Sequence, residues 1–249
     1  MTETRPTTRL EEWRYSDSAA LDAFAIDAFD DWRTIAVGPG EAWCDTLIVD
    51  GNSPSMQRIR LTVAEGGRAE LYAVNTASDY ARVEVMVHLS KGAHFGFGGV
   101  TIGGGDAVRE FVTQVDHAEP EATSAQVVRA VHWDQATGNF LGRIAVARDA
   151  QKSDASQDFK ALLLNKGASA NTKPELEIFA DDVKCAHGAA IGQMDEAARY
   201  YMAARGIPPE AAKKLLVRAF VADAFVALSD DDRREALQDA AVAVLGEAL

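Results

Sequence analysis

Lys173-Pro174-Glu175-Leu176-Glu177-Ile178-Phe179-Ala180-Asp181-Asp182-Val183-Lys184-Cys185-Ala186-His187-Gly188-Ala189 reads as a strand, a polar break and a second extended piece. Leu176 and Ile178 alternate with Glu175 and Glu177, the two-residue period of a half-buried strand. Pro174 is expected at the start of that strand, where its missing N–H does least harm. Asp181-Asp182 interrupts the run, and Val183, Cys185 and His187 then occupy alternate positions. An extended backbone puts these three on one face and Lys184 and Ala186 on the other.

The same grammar runs upstream. Ile59, Leu61 and Val63 alternate with Arg60 and Thr62 before Gly66-Gly67, and Leu71 resumes with Ala69 and Ala73. Val83, Val85, Val87 and Leu89 alternate with Glu84, Met86 and His88 up to the turn at Lys91-Gly92. Further runs are Phe95–Phe97, Val108–Val115, Val127–His132, Phe140–Val146 and Phe159–Leu164. Sandwich, barrel and β-helix all accommodate many short strands without long helices. Pairs of runs recurring at roughly 20–30 residues favour a stacked solenoid. Small residues inside the runs (Ala73, Gly96, Gly142, Ala145) suit a narrow core.

After Gly192 the period changes. Asp195-Glu196 suits a first helical turn, and Arg205-Gly206 ends that helix. Pro208-Pro209-Glu210 opens the next, with Ala212, Leu215, Leu216, Ala219, Phe220 and Ala227 on one face. Ser229 before Asp230-Asp231-Asp232 marks a third, with Leu237, Ala241, Val244, Leu245 and Ala248 apolar. At the other terminus Leu10, Trp13 and Tyr15 are anchors, and Ser16 or Ser18 is expected to cap a short helix through Leu21 and Phe24. The expected organisation is a short partly helical segment (1–35), a β-helix (36–192) and a small helical domain (193–249).

The net charge of −13 argues against nucleic acid and anionic membrane as partners. Cys44 and Cys185 are too few and too far apart for a disulfide framework and fit a reducing cytosol. No apolar stretch reads as a secretory signal or a membrane span. No phosphate-binding glycine loop and no nucleophile-elbow serine is present. The expectation is therefore a cytoplasmic protein with no ATP site of its own.

Cys185 and His187 leave two readings open. Thiol and imidazole together suit iron, zinc and iron–sulfur species, but two ligands do not close a site, so others must come from elsewhere, including a second chain. The plainer reading makes Cys185 a small buried hydrophobe and His187 a hydrogen-bonded strand residue. His94, His117 and His132 read as structural, Asp116-His117-Glu119 as a loop-edge cluster beside Pro120, and Cys44 as structural.

The run TKPELEIFADDVKCAHGAAIG, Thr172 to Gly192, resembles the signature of the SufB/SufD family in its SufD form. Leu162-Leu163-Leu164, Arg199-Tyr200-Tyr201-Met202 and Arg205-Gly206-Ile207 agree with it, and Glu11-Glu12-Trp13-Arg14-Tyr15 does so weakly. The resemblance implies a right-handed parallel β-helix followed by C-terminal helices. It implies a scaffold subunit of the SufBCD complex that pairs with SufB and docks SufC, the ATP-hydrolysing subunit, so that ATP acts only through SufC. It makes His187 first and Cys185 second as ligands to iron or a transient Fe–S cluster at the SufB interface. The rival expectations are a stand-alone homodimeric β-helix scaffold and, weaker, a β-helix polysaccharide-active enzyme, for which Glu175 and Glu177, two apart on one strand, read as a solvated face without acid/base asymmetry.

Overall fold

The computed structural model describes residues 5–247. The described residues form two six-stranded parallel sheets. One contains β1 (Arg33–Val37), β3 (Ser55–Val63), β5 (Ala81–Leu89), β7 (Val108–His117), β9 (Thr137–Val146) and β11 (Ser169–Ile178). The other contains β2 (Ala42–Val49), β4 (Arg68–Asn75), β6 (His94–Gly103), β8 (Thr123–His132), β10 (Asp154–Leu163) and β12 (Lys184–Gln193). Each strand pairs with the strand two further along the chain, so the backbone winds as a parallel β-helix of six turns.

The alternating residues make the core. Ile59, Leu61 and Val63 of β3 and Val83, Val85, Val87 and Leu89 of β5 point into the lumen, where they meet Leu71, Phe95 and Phe97 from the facing sheet. Phe97 and Phe111 meet edge to face at 5.4 Å, and Phe140 stacks on Phe159 at 5.9 Å.

One corner of each turn repeats the same device. Gly40, Gly66, Gly92, Glu121 and Lys152 all have φ between 61° and 66°. Each sends its N–H to the corner carbonyl of the next turn, at Glu65, Lys91, Pro120, Gln151 and Asp182. Glycine adopts this left-handed backbone without steric cost, whereas Glu121 and Lys152 do so against it.

Both outer faces are covered. Over the odd-numbered sheet lies the N-terminal segment, with α1 (Ser18–Ala23) and the buried residues Trp13, Leu21 and Tyr80. Asp17, not Ser16 or Ser18, caps α1 by accepting from the N–H groups of Ala19 and Ala20. Ser16 is taken up elsewhere, donating to Glu110 at 2.8 Å. Arg82, 1% exposed, lies 3.7 Å over the Trp13 ring and pairs with Glu84 and Glu110 at 3.2 and 3.3 Å. Glu84 and Glu110 point outward as their place in the alternation requires, yet they are buried because this segment lies on them.

The even-numbered sheet carries α2 (Glu196–Ala204), α3 (Pro209–Ala222) and α4 (Asp231–Ala243) at its side. Val217 and Val221 of α3, Phe225 after it, and Leu237 and Ala241 of α4 pack on Tyr72, Val74, Val100, Ile102, Val131 and Trp133. Gly98 permits this approach, since a Cβ there would stand 2.0 Å from the Ala224 carbonyl oxygen. Arg129 ties the layers together, bonding Asp158 of β10 and Asp223 after α3.

Several local expectations are corrected. Pro174 is the sixth residue of β11, not its first, and is tolerated because β11 is an edge strand paired only with β9. Leu215 is exposed and Val217 takes the buried position on α3. Asp230, rather than Ser229, caps α4. Ala248 lies outside the described residues.

Candidate functional site

The last turn of the β-helix is its open end. β11 and β12 each have one hydrogen-bonded neighbour, β9 and β10, so their outer edges carry unpaired backbone groups. Ile178, Phe179 and Ile191 are exposed beside those edges.

Cys185 and His187 both lie on β12, opposite Ala155 and Gln157 of β10. Ala155 and Gln157 are buried, so Cys185 and His187 belong to the lumen-facing set, as the alternation predicts. Val183 and Cys185 are half-buried against the core, while His187 is exposed at the mouth. Partial burial, and then the Asp154 carboxylate, push the Cys185 thiol upward, so it holds its proton until a metal or a cationic partner displaces it. Among the described residues no cluster of three or more His, Cys, Asp or Glu could hold a metal ion. The structure thus brings Cys185 and His187 to one face of one terminal strand and supplies no third ligand.

The other candidates fall away from this end or into structural roles. His117 is buried in the lumen, its Nε2 2.9 Å from Ser124 Oγ, and burial lowers its pKa to about 4. Asp116, one residue earlier, points outward, half exposed, toward Arg143, so the Asp116-His117 pair is split across the sheet. His132 is fully buried with Nε2 3.0 Å from Thr101 Oγ1, and burial followed by Arg109 lowers its pKa to about 3. His94 Nδ1 lies 2.7 Å from Thr123 Oγ1, and its pKa is lowered by burial. Cys44 is a free cysteine, exposed on β2 near the first turn. Glu175 and Glu177 are both ion-paired: Lys173 Nζ is 2.8 Å from Glu175, and Arg143 donates to both oxygens of Glu177 at 3.0 and 2.7 Å. Arg143 holds the Glu177 carboxyl below its usual range, so Glu177 does not stand ready as a protonated acid for glycoside cleavage.

Residues 43–220 match the sequence model described as SUF system FeS cluster assembly, SufBD core domain. The chain belongs to the SufBD family. The SufBD match takes in eleven of the twelve strands in whole or part, along with α2 and most of α3. Among similar proteins is the Escherichia coli (strain K12) iron-sulfur cluster assembly protein SufD, 36% identical over 137 residues, which are 55% of this chain and 31% of the relative. The Bacillus subtilis (strain 168) protein of that name is 32% identical over 123 residues, 49% of this chain and 28% of the relative. Protein ABCI7, chloroplastic, of Arabidopsis thaliana is 47% identical over 81 residues, 32% of this chain and 17% of the relative. The chain thus spans about a third or less of the length of these relatives. Among the described residues no helix is long and apolar enough to cross a membrane.

Two polar lumen residues interrupt the apolar period of the sequence. Gln126 and Gln157 line the lumen directly behind His187, at 1% and 2% exposure. Polar residues on a core face blur the alternation, so the sequence pattern starts these strands at Val127 and Phe159, whereas they begin at Thr123 and Asp154.

Proposed function

We propose that this protein is a SufD-type, non-enzymatic scaffold subunit of the SUF machinery, which pairs with SufB and docks SufC to build an iron–sulfur cluster at the joint. The observation that carries the reading is the position of His187 and Cys185. Both lie on the lumen face of β12, a strand with one unpaired edge, in a chain of the SufBD family. An incomplete ligand set on an unpaired strand suits a site finished by another chain. The nascent cluster is cargo, so one imidazole and at most one thiolate from this chain suit weak holding and release. His187 is the first ligand, being exposed, and Cys185 the second, since its thiol must first lose a proton. The helical layer is the SufC dock, ATP acts only through SufC, and the setting is the cytoplasm.

A second reading is a homodimer of this chain acting as its own scaffold. It is favoured by the exposed Ile178, Phe179 and Ile191 at the free edges, which suit a second copy as well as a paralogue.

Co-expression with SufB and SufC, purification through a tag on this chain and mass by light scattering test both. The expected result is one assembly holding this chain, SufB and two SufC, from which His187→Ala removes iron and sulfide without removing subunits. A chain that remains a homodimer beside soluble SufB and SufC overturns the first reading in favour of the second.

A further inference from the structure

The lumen of the last turns is polar, and its hydrogen bonding is unfinished. Gln126 on β8, Gln157 on β10 and His187 on β12 are register partners in successive strands, about 4.8 Å apart from strand to strand. The column is buried at Gln126 and Gln157 and surfaces at His187. At its base Thr113 Oγ1 lies 2.6 Å from Gln126 Oε1. Above that, Gln126 Nε2 and both amide atoms of Gln157 are buried with no hydrogen-bond partner. Native interiors rarely leave such groups unpaired.

The opposite wall offers little to Gln157. Its column there is Thr113, Gly142 and Pro174, a hydroxyl already engaged, a residue with no side chain and one with no donor. A Cβ at Gly142 would stand 2.7 Å from Gln157 Nε2, so the amide occupies the space that glycine leaves. The Gln157 amide therefore reaches across the lumen, and its complementary groups lie along its own column, Gln126 below and the His187 ring above.

We propose that Gln157, backed by Gln126, is a positioning residue for His187. Its Oε1 accepts the imidazole N–H, which keeps the other ring nitrogen as a lone pair directed out of the mouth. A ligating histidine commonly gives its second N–H to such an acceptor. The direction of the amides follows. With Gln157 Oε1 turned to His187, Gln157 Nε2 donates to Gln126 Oε1, and Gln126 Nε2 donates to Thr113 Oγ1. A hydroxyl both donates and accepts, so Thr113 terminates the chain in this sense after a half-turn of the Gln126 amide. His187, exposed on an edge strand, has room to turn its ring inward. The inference rests on His187 being a ligand for its purpose, but not for its geometry.

The test separates the two. Ring nitrogen shifts of His187 are read by NMR on the isotopically labelled full chain without metal and assigned by their loss in His187→Ala. The wild type is expected to show one dominant neutral tautomer. Gln157→Leu should mix the tautomers, and Gln157→Glu, which keeps an acceptor, should restore one. Thr172→Val removes an unpartnered buried hydroxyl on the facing strand β11 and should change nothing. In the assembled complex, Gln157→Leu should weaken ferrous-ion binding by about tenfold or more, with Gln157→Glu retaining most of it. Unchanged tautomers in Gln157→Leu overturn the positioning role, as does an equal shift from Thr172→Val. If Gln157→Leu does not fold, mixed tautomers in Gln157→Glu overturn it instead. Tautomers that respond while His187→Ala leaves ferrous binding intact keep the positioning and remove the ligand.

Discussion

A single lumen column shows two regions of different character. On the even-numbered sheet it runs Leu71, Phe97, Gln126, Gln157, His187, and on the facing sheet Ile59, Val85, Thr113, Gly142, Pro174. Backbone, pairing and burial are the same from β4 to β10, yet the side chains change from apolar to amide between β6 and β8. The early turns are filled as a core is filled, while the late turns carry buried amides that a core would exclude. The backbone therefore does not require the polar half. It lies directly behind β12, the strand that carries His187.

The largest test of this contrast lies in the apolar half. Phe97→Ala should cost about 3–5 kcal/mol in urea unfolding, by lost burial plus a cavity. A cost below about 1 kcal/mol would mean the early turns collapse freely and the contrast is false.

Acid should find the buried imidazoles next. His117 and His132 are neutral when folded, with pKa values lowered to about 4 and about 3, and protonate near 6.5 when unfolded. The unfolded chain then binds more protons, so their contribution is present above about pH 6.5 and is lost as pH falls toward 4 and 3. The decline between pH 6.5 and 4.5 should be on the order of 2 kcal/mol for each histidine, about 4 kcal/mol for the pair. A His117→Asn, His132→Asn double variant should show a flatter profile, and equal slopes would refute the assignment.

Gln157→Leu should cost about 1 kcal/mol, because it leaves Gln126 Oε1 and the His187 N–H without the amide proposed to pair them. A neutral or stabilising outcome would show that the Gln157 amide is unpaired in the folded chain. The smallest effect belongs to the rim. Ile191→Lys, at a position 49% exposed, should change stability by less than about 0.5 kcal/mol while abolishing any self-association through β12. Unchanged mass in solution would place the dimer contact elsewhere.

The sequence made some of this legible and hid the rest for physical reasons. Alternation in Ile59–Val63 and Val83–Leu89 exposed the strands, because those side chains answer only to the lumen. The burial of Arg82, Glu84 and Glu110 was illegible, since it comes from a segment about 70 residues away in sequence folding over the sheet. Cys185 and His187 were found through a local motif, whereas Gln126 and Gln157 interrupt the apolar period and so resembled the ends of loops. Glu121 and Lys152 gave no turn signal either, because hydrogen bonds from the next turn hold a backbone that glycine holds elsewhere.

The corner ladder from Gly40 to Lys152 acts as a ruler for inheritance. It repeats every 26 to 31 residues or so and keeps successive turns aligned although their lengths differ. A residue's nearest constraints are thus about one turn away in the chain, above and below it. A change at Gly142 is felt at Thr113, at Pro174 and across the lumen at Gln157 before it is felt by the residues beside it in sequence. Substitutions in related chains should therefore travel in columns, and Gln126, Gln157 and His187 should be gained or lost together.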